Sequence, residues 1–266
     1  MKYCRFQIDG QAHYGLVEPV AGRDEITRLL LHAPEEAGGD MEDFRTRRME
    51  RIALEEATLL APVHSSKIVC VGRNYREHAA ELGNEVPVEP LLFFKPPSAL
   101  LGPGGSIRRP QISQRVDHEG ELGVVIGKRC YKLSPDEDVR PFVLGYTAVN
   151  DVSARDLQNK DGQWTRAKGF DTFCPVGPVV SDDVDPWSGV QVETRLNGTV
   201  RQQGNTRNFI FPLDVLIRYI SQAMTLEPGD LIPTGTPKGV GPMVAGDVVE
   251  VTVDGVGTLR NPVIED

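Results

Sequence analysis

Glu119 and Glu121 in VDHEGELGVVIGK, with Asp151 in LGYTAVNDVSARD, are the residues whose types and spacing point most directly to chemistry. Each borders an apolar, strand-like run, and strand side chains two apart share a face, so Glu119 and Glu121 point the same way. Two carboxylates on one face repel unless a cation or a proton sits between them. A third carboxylate at the end of another apolar run completes a set of anionic oxygens of the kind a hard divalent ion takes, with other positions left to water or substrate. The bland alternative is a solvated turn ahead of a strand. Against it, Glu121 runs straight into LGVVIG, where a charge at the mouth of a buried strand needs a partner, and Asp151 ends YTAVN in the same way.

Three further constellations could serve such a site. His78 and Glu81 in RNYREHAAELG are three apart and share a face if the segment is helical. A carboxylate beside an imidazole orients it and raises its basicity, as suits a base that takes a proton from water; the competing reading is an exposed ion pair. Lys168 in TRAKGFDTFCPVGP precedes an apolar stretch, where a partly buried cation could hold an anionic substrate or a developing oxyanion, although an ordinary surface lysine fits the local sequence too. The loop TGTPKGVGP, residues 234–242, can bring backbone N–H groups close to an anion. It lacks the GxxxxGK[ST] pattern of a phosphate loop and is otherwise a tight turn.

The elements that must position these groups are mostly strands. YCRFQID and HYGLVEPV form a hairpin around Asp9-Gly10, followed by a polar, helix-compatible stretch ending in RRMERIALEEATLLAP. Pro62 divides a small N-terminal domain, residues 1–62, from a catalytic domain, 63–266. KIVCVG is a buried strand, RNYREHAAELG a helix closed by Gly83, and LLFFK a strand before a Pro/Gly turn. VETRLNGTVRQQGNT is a hairpin on Asn197-Gly198. PLDVLIRYISQAMTL, with apolar residues at 213, 216, 217 and 220, is the longest helix. No βαβ alternation is visible, which counts against Rossmann and TIM architectures. The expected class is mainly β with a few helices (α+β).

Composition narrows the partners. A formal net charge of −9 argues against a nucleic-acid or anionic-membrane surface. No apolar run is long enough to span a bilayer, and the N-terminus lacks an apolar signal core, so the expectation is a cytoplasmic protein. Four scattered cysteines form no CxxC pair, and Cys70 and Cys174, in apolar contexts, read as buried reduced thiols.

Taken in order, GRNYREHAAELG, FFKPPSALLGPGG, VDHEGELGVVIGK, GYTAVNDVSARDLQ, AKGFDTFCPVGP, ISQAMTLEPGDLIPTGTPKGVGP and GDVVEVTVDGVGTLRNPV resemble the fumarylacetoacetate hydrolase family over roughly residues 65 to 264. The resemblance implies a mixed β-roll with a small N-terminal domain and a Mg²⁺ or Mn²⁺ ion on Glu119, Glu121 and Asp151. It gives Lys168 the place of the family's lysine and His78 and Glu81 that of a catalytic pair on a lid helix. Arg155, Gln158 and Thr236 fall on substrate-contacting positions, and Arg73 and Tyr75 border the site. His118, beside the glutamates, has a structural role or reaches the metal's outer shell.

The chemistry so implied is cleavage of a C–C bond in a short 2,4-diketo acid of the acylpyruvate type, through a metal-stabilised pyruvate enolate. The same enolate serves an oxaloacetate decarboxylase or a 2-hydroxyhepta-2,4-diene-1,7-dioate isomerase; the HxxE pair favours the water-using hydrolase. A non-catalytic protein binding a metal and a small acid would have lost one of these groups, and all are present. The resemblance also implies a homodimer.

Overall fold

The computed structural model describes residues 1–81, 83 and 85–266. Its principal sheet runs, edge to edge, through Thr46–Ala53, Arg23–Leu30, Gln11–Val20, Lys2–Ile8, Cys174–Ser181, Val143–Asn150, Gly120–Ile126, Leu231–Pro233, Ile68–Gly72 and Leu91–Lys95. Neighbours are antiparallel except Leu231–Pro233 beside Ile68–Gly72. Every residue of Gly120–Ile126 is buried, as are all but the first of Val143–Asn150. That explains why both read as continuous apolar runs rather than as alternating strands.

A second sheet, of Thr199–Asn205, Gln191–Leu196, Val248–Val253, Gly257–Glu265 and Ile107–Arg109, packs on the first. Leu122 and Val124 of one sheet and Val192 and Val251 of the other share one apolar core. Three short strands, Ser153–Ala154, Val116–His118 and Gly241–Met243, form a small sheet where the main strands end. The result is mainly β with four α-helices among the described residues: α1 (Arg76–Glu81), α2 (Arg155–Asp161), α3 (Thr165–Lys168) and α4 (Leu213–Ala223). Helix α4 buries Leu213, Leu216, Ile217 and Ile220, the stripe expected of an amphipathic helix.

The first 62 residues extend the main sheet through Lys2–Ser181 and Tyr3–Val180 pairing. Their first hairpin turns at Asp9-Gly10 with positive φ at both residues, and Asn197-Gly198 does the same in the second sheet. The helix-compatible stretch before Pro62 corrects to a strand, Thr46–Ala53, paired with Arg23–Leu30. Met49 and Ile52, three apart, look helical. A register shift opposite Ile26 and Arg28 turns both toward the core despite that spacing, so a bulge imitates the helical period.

Candidate active site

The two central strands end side by side, and this brings the acids together. Gly120 pairs with Asn150, the Asn150 side chain accepts the Glu119 N–H at 2.9 Å, and the Asp151 N–H donates to the Glu119 carbonyl at 2.8 Å. One oxygen each from Glu119, Glu121 and Asp151 then lies within 4.8 Å of the others, all three residues buried. The residue between the glutamates has to be glycine, because a Cβ at Gly120 would overlap the Thr194 hydroxyl of the facing sheet and crowd Val251.

Buried cations hold the cluster. Lys168, 2% exposed, donates to Glu119 Oε2 at 2.8 Å and Asp151 Oδ2 at 2.6 Å. Arg155 bridges Asp117 Oδ2 at 3.0 Å, Glu119 Oε1 and the side-chain Oε1 of Gln158. Burial alone would raise the Glu119 carboxyl, but Lys168 and Arg155 outweigh it and hold the group well below the usual range. Glu121 differs: it accepts a hydrogen bond from Gly235 N–H at 2.8 Å, and burial, then Asp151 and Glu119, push it well above the ordinary carboxylate value. Burial lowers Lys168, yet Asp151 and Glu119 overrule it and keep the ammonium charged.

A cavity of about 340 Å³ opens on this cluster. His78, Arg73, Arg155, Gln158, Lys168 and Thr236 line it, as do Phe93, Arg115, Asn159 and Trp164, which sequence reasoning did not single out. A larger cleft, about 1340 Å³, runs between residues 54–65 and the 100–105 loop without any of the clustered acids, so size alone does not locate the site. Of the other expected residues, Tyr75 is buried against Phe209 with its hydroxyl unpartnered among the described residues, and Glu81 stands behind His78; neither lines the cavity.

His78 Nδ1 faces Glu81 Oε2 at 3.4 Å, and both Glu81 oxygens also accept the Gly239 N–H, at 3.0 and 3.1 Å. The carboxylate therefore ties the helix to the glycine-rich loop. Burial lowers the His78 pKa, partly offset by Glu119 and Glu81, which favours the uncharged imidazole. Thr236 accepts from Gln202 Nε2 at 2.7 Å and donates to the Gly120 carbonyl at 2.9 Å, so its hydroxyl is committed to the scaffold.

Two residues absent from the sequence reading hold this scaffold. Gln202 receives Gly120 N–H at 3.0 Å and lies 3.1 Å from His118 Nδ1, while its amide donates to Thr236 and Pro237. Lys95, 1% exposed, donates to the carbonyls of Val152, Lys168 and Phe173 at 2.7–2.9 Å. His118 is buried in that framework. A glutamine on a hairpin and a lysine in FFKPP carry no local mark of burial, and only the tertiary pairing of their strands reveals them.

The residues fit a divalent cation. Three carboxylate oxygens converge, and Glu121 is destabilised as an anion by burial and by its neighbours; a hard cation would relieve both.

Residues 67–264 match the family described as fumarylacetoacetate (FAA) hydrolase C-terminal, and residues 1–62 match the Rv2993c-like N-terminal family. The chain is 38% identical over 276 residues to the 2,4-didehydro-3-deoxy-L-rhamnonate hydrolase of a Sphingomonas species, covering 100% of this chain and 96% of that one. It is 42% identical over 225 residues to the oxaloacetate tautomerase YisK of Bacillus subtilis, covering 79% of this chain and 74% of that protein. Among solved structures, the 5-carboxymethyl-2-hydroxymuconate delta-isomerase from Mycobacterium smegmatis superposes with a TM-score of 0.89 at 41% identity, over 100% of both chains. The fold, the acidic cluster and these matches agree: the chain belongs to the fumarylacetoacetate hydrolase family.

Proposed function

We propose that this protein is a divalent-metal-dependent hydrolase that cleaves a C–C bond in a short 2,4-diketo acid, with residues 63–266 as its catalytic domain and no catalytic group in 1–62. The observation that carries the reading is His78: a buried imidazole, its pKa lowered by burial and its Nδ1 facing Glu81, lining the same cavity as the three carboxylates. Glu119, Glu121 and Asp151 would hold Mg²⁺ or Mn²⁺, which when bound supplies a Lewis acid for the carboxylate and 2-oxo oxygens of the substrate.

The rest falls to the chain's own groups. His78 Nε2 takes a proton from water, whose oxygen adds to the distal carbonyl carbon. The bond from that carbon to C3 breaks, and its electron pair moves toward the 2-oxygen. Lys168 lies where it can stabilise the charge that develops there. Arg155 keeps Glu119 in place, Gly235 N–H does so for Glu121, and Phe93 with Trp164 walls off water. Gln158, Arg73 and Thr236 shape the substrate's surroundings.

A second reading, an isomerase, tautomerase or decarboxylase on the same platform, is favoured by the loose 3.4 Å contact between His78 and Glu81 and by the activities for which two relatives are named. Pyruvate release decides between them. Purified protein with Mg²⁺ should release pyruvate from acetylpyruvate faster than from oxaloacetate, and EDTA should stop it. Turnover of oxaloacetate alone would transfer the assignment to the second reading.

A further inference from the structure

We propose that Gln202, which lies outside the cavity, is a positioning residue for the reaction: its side-chain amide mounts the loop of residues 235–239, and that single stretch of backbone sets both Glu121 in the acidic cluster and Glu81 behind His78. The inference rests on the reading of those two acids as a metal ligand and as the partner of the base, and it concerns how they are held. The ends of the loop reach different parts of the site. Gly235 N–H donates to Glu121 Oε2 at 2.8 Å. Four residues on, Gly239 N–H donates to the two Glu81 oxygens at 3.0 and 3.1 Å. The loop does bring backbone N–H groups to anions, as its glycines allow, and both anions are carboxylates of this chain.

Between its ends the loop is fastened to Gln202, on the strand Thr199–Asn205 and 1% exposed. Nε2 donates to Thr236 Oγ1 at 2.7 Å and to the Pro237 carbonyl at 2.8 Å, while Oε1 accepts Gly120 N–H at 3.0 Å. The Pro237 carbonyl can only accept and the Gly120 N–H can only donate, so a single orientation of the amide serves both. Thr236 passes the tie on to the Gly120 carbonyl at 2.9 Å. Both backbone groups of the residue between the glutamates are therefore bonded to Gln202 or to its partner. Packing leaves little slack. A Cβ at Gly239, whose φ is +98°, would overlap the Arg201 carbonyl oxygen, and one at Gly204 would come within 2.7 Å of the Pro237 ring. The loop thus lies directly on the backbone to either side of Gln202, too close to slide along the strand.

The test uses two variants. Gln202→Met keeps the length of the side chain and removes its hydrogen bonds. Gln202→Glu keeps an acceptor for Gly120 N–H and, as a carboxylate, offers the loop no donor, so it serves where the methionine variant does not fold. In either, the Kd for Mg²⁺ measured by titration calorimetry should rise about tenfold or more, the usual cost of losing a group that orients a metal ligand. With acetylpyruvate, kcat should fall by about a hundredfold while KM moves less than about threefold, because alignment is lost and no contact with substrate is. Amide hydrogen exchange in the metal-free protein reads the loop without either: residues 76–81 and 234–239 should exchange about tenfold faster or more, while the strands of the principal sheet keep their rates. A variant that is only less stable, with wild-type Mg²⁺ affinity, kcat and exchange in those two segments, would overturn the inference. Exchange that rises uniformly along the chain would do the same. If the wild-type protein neither binds Mg²⁺ nor cleaves acetylpyruvate, the functional reading fails by itself, and the exchange of the two segments decides the role of Gln202.

Discussion

Lys95 Nζ lies 2.7 Å from Asp151 Oδ1, yet its three hydrogen bonds go to the carbonyls of Val152, Lys168 and Phe173. The ammonium thus gives Asp151 a buried counter-charge at ion-pair distance while its hydrogen bonds go to the backbone. Lys95→Met would leave a buried acid cluster short of a counter-charge and three buried carbonyls without donors. We expect a loss of about 3–5 kcal/mol in urea unfolding, the range for breaking a buried pair from one side. A loss below about 1 kcal/mol would mean that the contact is not energetically coupled to the acids.

The glycine between the glutamates is a packing requirement with a specific partner. Gly120→Ala forces the new methyl into the Thr194 hydroxyl, and overpacking of this kind costs about 1–3 kcal/mol. The Thr194 hydroxyl has no hydrogen-bond partner among the described residues, so Thr194→Ala removes the obstacle without breaking a bond. The double variant should recover at least about 1 kcal/mol relative to additivity in a double-mutant cycle. Strict additivity would place the strain elsewhere.

These two cases show which parts of the molecule were legible beforehand. Glu119, Glu121 and Asp151 declared themselves because carboxylates at the ends of apolar strands are locally anomalous, and the two-residue turns at Asp9 and Asn197 carry their own chemistry. The burial of Lys168 was open from the sequence, since the surface and buried readings share the same local residues. Lys95 and Gln202 were invisible for the same reason: strand pairing, not neighbouring sequence, buries them. The Thr46–Ala53 strand was misread because a bulge within it, opposite Ile26 and Arg28, gave it the spacing of a helix.

Metal removal should be visible in stability as well as in activity. If Glu119, Glu121 and Asp151 hold the ion, a Mg²⁺ or Mn²⁺ concentration about a hundred times Kd adds about 2.7 kcal/mol to folding. Thermal unfolding should therefore move upward with metal and return with EDTA. Glu121→Gln should abolish that response while leaving a folded protein, because the amide relieves the repulsion among the three acids. A Glu121→Gln variant with an undiminished metal shift would remove Glu121 from the ligand set.

The pH profile tests the base. Burial first of all lowers the His78 pKa, and Glu119 and the hydrogen bond to Glu81 raise it again in part. The acid limb of kcat/KM should therefore have its midpoint below 6.5, the ordinary histidine value. Glu81→Gln removes an influence that raises the pKa, so the midpoint should move further down while the rate at the plateau falls. A limb that stays in place in Glu81→Gln would separate Glu81 from the base.

The four thiols offer a last check, on burial around the site. Cys4 and Cys174 are pushed up to about 12 and Cys130 to about 11, in each case by burial first, and burial likewise drives Cys70 well above the ordinary thiol value. The thiolate is the reactive form, so a native protein with these values and no exposed cysteine should resist a thiol-disulfide reagent at pH 8. Unfolding in guanidinium should release four reactive thiols at once. Cys70 and Cys174 share a core cluster with Val125 and Val149, on the two strands that carry the acids. Their labelling should therefore follow global unfolding, and rapid reaction of either in the native protein would show that the floor of the acidic cluster opens on its own.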